Sequence, residues 1–226
     1  MKKGFRIIKF KKSKPVLQIK DINKSYDGRP ILKKISMNLY PGECVGLLGP
    51  NGSGKSTLYS TIIGEIYADT GKIILNDKEV QDKPIHLRAK AGIGYLSQQR
   101  SVFDMSVYDN ILGICQLTIK GEENQIKLTE RLLDEFNLQH LRNIQASNLS
   151  GGEVRRVMLA RLLINKPSVV LLDEPMAALD PIVVQDIQKY ILKLQNYGCA
   201  ILVTDHQVNN LFDIVDRAYV DRKSVV

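Results

Sequence analysis

Cysteine is scarce: three residues in 226, at positions 44, 115 and 199, with no spacing that suits a metal-ligand set. Cys44 and Cys199 stand inside apolar, strand-like runs, so buried, reduced thiols of a cytosolic protein are expected. Long apolar runs are also missing. Nothing approaches the roughly 18 consecutive apolar residues of a spanning helix, and no signal peptide is expected. Any membrane path that this chain serves must then belong to other chains. Internal repeats are absent. An apolar content of 44% is nevertheless enough for a sizeable core, and the length fits one large domain or a domain carrying an inserted subdomain.

Acidic residues are absent from one place in particular. Residues 1–14 hold Lys2, Lys3, Arg6, Lys9, Lys11, Lys12 and Lys14 and no Asp or Glu. They account for most of the net charge of +8, and without them 25 basic residues face 24 acidic ones. A nucleic-acid-binding fold usually spreads its basic residues over a folded face. Here they sit on an extension, so no specific nucleic-acid partner is expected. Beside an anionic leaflet each such charge contributes about 1 kcal/mol, falling off within a Debye length of about 8 Å. A solvated tail with no partner fits the composition equally well.

The densest chemical signal is Gly49-Pro50-Asn51-Gly52-Ser53-Gly54-Lys55-Ser56, directly after the apolar run Cys44–Leu48. Such a run reads as a buried parallel strand. Its glycines let the backbone turn tightly and present N–H groups to phosphate oxygens. Lys55 reaches the β- and γ-phosphates, Ser56 holds Mg²⁺, and a helix opening at this point turns its positive end towards the anion. Gly49, Asn51, Gly52, Ser53, Gly54, Lys55, Ser56 and Thr57 are the expected nucleotide contacts. Leu58, Ile62 and Ile63 form the buried stripe of that helix.

Further along, strand-like stretches occupy 16–22, 31–40, 43–48, 72–75, 93–96, 169–173, 200–204 and 217–220. Residues 98–165 lack them and show helical patterns at 107–116, 123–136 and 153–165, with Leu128, Leu132, Leu133 and Phe136 at helical spacing. Two α/β stretches therefore flank a helical insert. Asp173 and Glu174 end an apolar strand, where two carboxylates are costly to bury unless paired or bound to a cation. His206 ends another such strand, at the edge where α/β folds hold ligands. Ser150 opens a helix containing Val154, Val157, Met158 and Leu162, which makes a second anion site.

Taken together, the glycine loop, Leu149-Ser150-Gly151-Gly152-Glu153 and Val169-Val170-Leu171-Leu172-Asp173-Glu174 resemble the nucleotide-binding subunits of ATP-binding cassette (ABC) transporters, over roughly residues 15–220. The resemblance implies an α/β P-loop NTPase fold, with a RecA-like core, an antiparallel β subdomain and an inserted helical subdomain. Its expected bounds are a basic extension at 1–14 and one ABC ATPase domain at 15–226, with the core at 15–97 and 157–226 and the helical subdomain at 98–156. By this resemblance Glu174 is the general base, Asp173 orders the Mg²⁺ shell, His206 is the switch histidine, and Gln98 ligates Mg²⁺ and water, with Gln99 as the alternative register. Tyr26 stacks on adenine or is a plain surface tyrosine. Ser150, Gly151 and Gly152 complete the ATP site of a second subunit in a head-to-tail homodimer. Glu153 replaces the commoner Gln, as in several exporter groups.

The block Thr204-Asp205-His206-Gln207-Val208, with Gly92–Leu96 and Leu179-Asp180-Pro181-Ile182, is most similar to the lipopolysaccharide-export ATPases of Gram-negative bacteria. Branched-chain amino-acid importer ATPases match that block less well. The implied setting is the cytoplasmic face of the bacterial inner membrane. There the permease subunits dock near Arg100, Val102 and Phe103, and the complex handles lipopolysaccharide. Asp104 departs from the basic residue usual in such exporters. Residues 221–226 do not resemble the family's continuation, so the chain is expected to be truncated or spliced there. Two further readings stay open: a soluble ABC ATPase acting on nucleic acid or the ribosome, which usually carries two cassettes or a long coiled coil, and a cassette that has lost hydrolysis.

Overall fold

Five short stretches pair as parallel strands: β3 (Cys44–Leu48), β6 (Ile93–Leu96), β7 (Val169–Asp173), β8 (Ala200–Thr204) and β9 (Arg217–Val220). Their order across the sheet is β6-β7-β8-β3-β9. The computed structural model describes residues 14–220. The expected basic extension therefore lies outside the described residues except for Lys14, which pairs with Asp77 at 2.7 Å. The departure expected at 221–226 lies outside them as well.

Strands β3, β7 and β8 read as nearly unbroken apolar runs because both faces of the sheet are covered there. Successive residues go to different cores. Val170, Leu172, Ile201 and Val203 join a helical core, whereas Val169, Leu171, Ala200 and Leu202 join a second core on the opposite face. The second core is closed by α1 (Lys55–Ile63) and by an antiparallel sheet of β1 (Leu17–Tyr26), β2 (Arg29–Leu39), β4 (Thr70–Leu75) and β5 (Lys78–Glu79), in the order β2-β1-β4-β5. Asp27 and Gly28, at φ 47° and 75°, make the two-residue turn between β1 and β2. Positive φ at both positions matches the twist of an antiparallel hairpin.

On the helical side, α3 (Val107–Thr118), α4 (Glu122–Glu135) and α5 (Gly151–Ile164) bury Ile111, Cys115, Leu132, Leu133, Val157 and Leu159 against one another. The sheet then packs on α5 and on α6 (Pro181–Asn196), and Phe136 stacks on Tyr190 with ring centroids 4.9 Å apart. Helix ends are marked in the sequence. Ser150 and Glu153 form a reciprocal capping box, and Asp180 caps α6 ahead of Pro181. Helix α5 runs unbroken through residue 156 and packs on both the neighbouring helices and the sheet.

Two elements escape the sequence patterns, β5 and α2 (Ile85–Lys90). Each is too short to show a period. Helix α2 is organised by one side chain. Arg88 is 1% exposed and donates to the carbonyls of Lys83, Thr61, Ile62 and Gln81 at 2.5–2.9 Å. It thereby satisfies carbonyls at the end of α1, where the helix dipole favours a cation.

All three cysteines are free and buried. Burial, and then Asp216 and Glu43, pushes the Cys44 thiol up to about 12, and burial raises Cys115 and Cys199. A raised thiol stays protonated and unreactive in mild alkali. With Ellman's reagent at about pH 8, the folded chain is expected to give no prompt reaction and the denatured chain three thiols. Fast labelling of even one thiol in the folded chain would contradict the burial.

Candidate active site

Parallel strands deliver their carboxyl ends to one edge of the sheet, and that edge collects most of the predicted chemistry. After β3, the loop at residues 49–54 leads into α1, with Gly52 and Gly54 at φ 78° and 94°. A Cβ on Gly54 would lie 3.1–3.2 Å from Leu32 and Ile31, so the loop also needs glycine for space. The Lys55 ammonium donates to the carbonyls of Gly49 (2.7 Å) and Pro50 (2.8 Å), which hold it over its own loop. The Ser53 hydroxyl is buried without a partner, the sort of orphan group that a bound polar ligand satisfies. Asn51 is exposed beside it, Ser56 is also exposed, and Thr57 accepts a bond from Thr61 inside α1.

Strand β7 ends in Asp173 and Glu174, each 7% exposed. Glu174 has φ 51°, a left-handed conformation that costs a non-glycine residue about 1–3 kcal/mol and clusters at functional sites. Its backbone N–H donates to the carbonyl and the hydroxyl of Thr204 on the neighbouring strand, at 3.1 and 3.2 Å. One carboxylate oxygen accepts from Gln98 Nε2 at 2.7 Å, and the other lies 2.6 Å from His206 Nε2. Gln98, Glu174 and His206, predicted from three strand ends, thus meet in one cluster. Gln99 makes a backbone contact with Ser97 instead.

Asp173 accepts from the Thr204 hydroxyl at 2.8 Å and from the Tyr95 hydroxyl at 3.4 Å. Burial and then Asp173 push the Tyr95 hydroxyl up to about 12, so it remains a donor at neutral pH. Tyr59 lies wholly buried in α1 and donates to the carbonyls of Leu202 (2.9 Å) and Leu172 (3.3 Å). It ties the helix that begins at Lys55 to the ends of β7 and β8. Asp205 has one oxygen bonded to the Gln207 N–H (2.8 Å) and one buried without a partner, and burial raises its carboxyl.

The remaining predicted residues lie apart from this cluster. The Ser150 side chain bonds only within its own capping box, and a Cβ on Gly152 would meet Val183 at 2.3 Å. That glycine lets the start of α5 approach α6. Tyr26 sits at the hairpin end, 46% exposed, with the Lys24 ammonium 5.5 Å from its ring centroid. Phe103 is 49% exposed, and Arg161 lies 4.6 Å from its ring centroid. It lines a 320 Å³ cavity with Arg100, Val102, Asp104, Ala146 and Ser147. Among the described residues no cluster of three or more His, Cys, Asp and Glu could cage a metal ion, and none of the helices is long and apolar enough to cross a membrane.

Sequence reasoning missed Thr204, Tyr95, Tyr59 and Arg155. Thr204 and Tyr95 stand within strands that point at the site, and the edge position is the signal that finds them. Arg155, 9% exposed, reaches from α5 to the carbonyls of Ser97 (2.9 Å) and Gln98 (2.8 Å). Its signal is a charge flanked by Val154, Val157 and Met158.

A family model described as ABC transporter matches residues 32–177. The chain is 42% identical to the lipopolysaccharide export system ATP-binding protein LptB of Escherichia coli K12, over 90% of this chain and 86% of that protein. It is 40% identical to the protein of the same name from Haemophilus influenzae, over 91% and 86%. Among solved structures, an ATP-binding cassette of an ABC transporter in its ADP conformation superposes with a TM-score of 0.82 at 27% identity, covering 92% and 87% of the two chains.

Replacing Thr204 with Val keeps its shape and removes the hydroxyl that serves both Asp173 and the Glu174 N–H. The expected loss is about 1–3 kcal/mol of unfolding free energy in a urea titration, with Thr204→Ser largely restoring it. A Val variant as stable as the parent would show that the hydroxyl does not hold the pair.

Proposed function

This chain belongs to the ABC transporter family as an ATP-binding, ATP-hydrolysing subunit, and we propose that it powers lipopolysaccharide extraction from the bacterial inner membrane. The observation that carries the hydrolytic assignment is Glu174, a buried carboxylate held by Gln98 and His206 at the sheet edge that also bears the glycine loop. Glu174 accepts the proton of the attacking water, and its two partners fix which lone pair faces it. A general base so placed is worth about 10²–10⁴ in rate. Lys55, the N–H groups of the loop and the start of α1 hold the phosphates. Tyr26 offers an aromatic face to the adenine.

The donor set fits Mg²⁺: the Ser56 hydroxyl, the Asp173 carboxylate and the Gln98 amide are hard oxygen donors, too few for a cage and suited to an ion shared with phosphate. Bound there, the ion would neutralise charge on the β- and γ-phosphate oxygens. Asp173 is oriented for that role by Thr204 and Tyr95.

Ser150, Gly151 and Gly152 point to a homodimer. In one chain the capped start of α5 makes no bond to the glycine loop, so it is available to a second subunit's nucleotide. The surface around Arg100, Val102 and Phe103 receives the membrane subunits, with Phe103 as the apolar anchor. The names of the relatives and the Thr204-Asp205-His206-Gln207-Val208 block support lipopolysaccharide as the cargo and the cytoplasmic face of the inner membrane as the location. The proposed division is a core at 15–97 and 157–226 around a helical subdomain at 98–156, with the continuous helix α5 crossing the bound at 156–157.

Glu174→Gln is expected to cut ATP turnover by about 10²–10⁴, to leave ATP binding intact and to favour the closed dimer in gel filtration. Hydrolysis within about threefold of the parent would contradict the assignment of the base. Co-expression with lipopolysaccharide-export membrane subunits should yield a stoichiometric complex with lipid-stimulated ATPase. Phe103→Ala should abolish that co-purification while sparing ATPase of the isolated subunit. An active ATPase that never associates with those subunits would overturn the cargo and keep the enzyme.

A further inference from the structure

Arg155 is a costly residue for its position. Its side chain is 9% exposed, between Val154, Val157 and Met158 on α5, and burial pulls its pKa below the usual guanidinium range. Among the described residues it forms no direct ion pair, although the charges of Glu174 and then Asp173 offset part of the cost of its burial. What it does hold is backbone: its two terminal nitrogens donate separately to the carbonyls of Ser97 and Gln98.

That backbone needs holding. Residues 97–100 follow the last residue of β6 and belong to no helix or strand. Yet Gln98 must place its amide 2.7 Å from Glu174. The two carbonyls flank the Gln98 Cα closely, so clamping both fixes the direction in which that side chain leaves the chain. A forked, planar guanidinium can engage two carbonyls at once, whereas a lysine ammonium acts as a point charge on a flexible stem.

We infer that Arg155 is a positioning residue for hydrolysis, one that makes Gln98 follow α5 and so sets where its amide meets Glu174. The inference rests on the roles proposed above for Gln98 and Glu174, and it adds a mechanical link. Helix α5 begins at Ser150, the residue assigned to the nucleotide of a second subunit. Arg155 lies on the same rigid helix, little more than one turn away. Movement of the Ser150 end is therefore transmitted to Gln98 of its own subunit. Arg161, less than two turns further on, binds the Ser101 carbonyl at 2.8 Å, so the same helix also carries the stretch leading to Phe103.

The test is a double-mutant cycle on the purified full chain, with kcat and KM for ATP measured for Arg155→Lys, Arg155→Gln, Gln98→Ala and the two combinations. Melting temperatures identify any variant that fails to fold, and the Lys variant retains a buried cation if the Gln variant is unstable. In the parent background both changes should lower kcat by about tenfold to a hundredfold, the range that a misplacement near 1 Å produces, with KM within about threefold. In the Gln98→Ala background they should cost less than about twofold, because the group being positioned is already gone. Equal losses in both backgrounds, or a folded Lys variant with the parent kcat, would overturn the inference and leave the site reading intact. A Gln98→Ala enzyme as fast as the parent would overturn the role of Gln98 and this inference with it.

Discussion

Two carboxylates buried at the end of one strand govern the layout of everything around them. An ionised group in the interior is tolerated only with partners, and Asp173 and Glu174 each have them: Thr204 and Tyr95 for the first, Gln98 and His206 for the second. Those partners come from β6, β8 and the segments that follow them, so the carboxylates dictate which strands flank β7. A different strand order would leave at least one carboxylate short of donors. The strained backbone of Glu174 is held by the same neighbour, through both oxygens of Thr204. Demands of stability and of chemistry thus fall on one set of side chains.

Much of this was legible in the sequence, for identifiable reasons. The buried strands at 44–48, 169–173 and 200–204 are apolar almost throughout because both faces of the sheet are covered, and a half-exposed strand would alternate with polar residues instead. The glycine loop and the Ser-Gly-Gly turn are readable because backbone geometry restricts those positions to small residues. The fold class and the family followed from these features. What stayed hidden has a physical reason too. Thr204 and Tyr95 are ordinary strand residues by composition, and only the sheet order brings them to Asp173. Arg88 and Arg155 bind carbonyls, which every residue possesses, so no partner residue type announces them. The six residues of α2 are fewer than two helical turns, too few to show a period.

Arginine bound to backbone recurs across the helical half. Arg155 and Arg161 hold residues 97–101, and Arg100 reaches the carbonyl of Ala146. Each cation donates to carbonyl dipoles rather than to a paired carboxylate, and the charges of Glu174 and Asp173 act on Arg155 from further off. Such contacts depend on where the chain passes, not on which side chain stands there. They leave the intervening sequence free to vary while its path is preserved. A surface proposed to receive a membrane subunit benefits from that freedom.

The alternating ownership of the sheet residues has a consequence for precision. Val169 and Leu171 belong to the core beneath the antiparallel sheet, and Val170 and Leu172 to the core beneath the helices. Sliding β7 by a single residue would move every one of them into the wrong core at once. The strand can therefore seat in one register only, as a key cut on both edges fits in one depth. Asp173 and Glu174 are the tip of that key, and their distance from the glycine loop is gauged by hydrocarbon on two sides long before any nucleotide arrives.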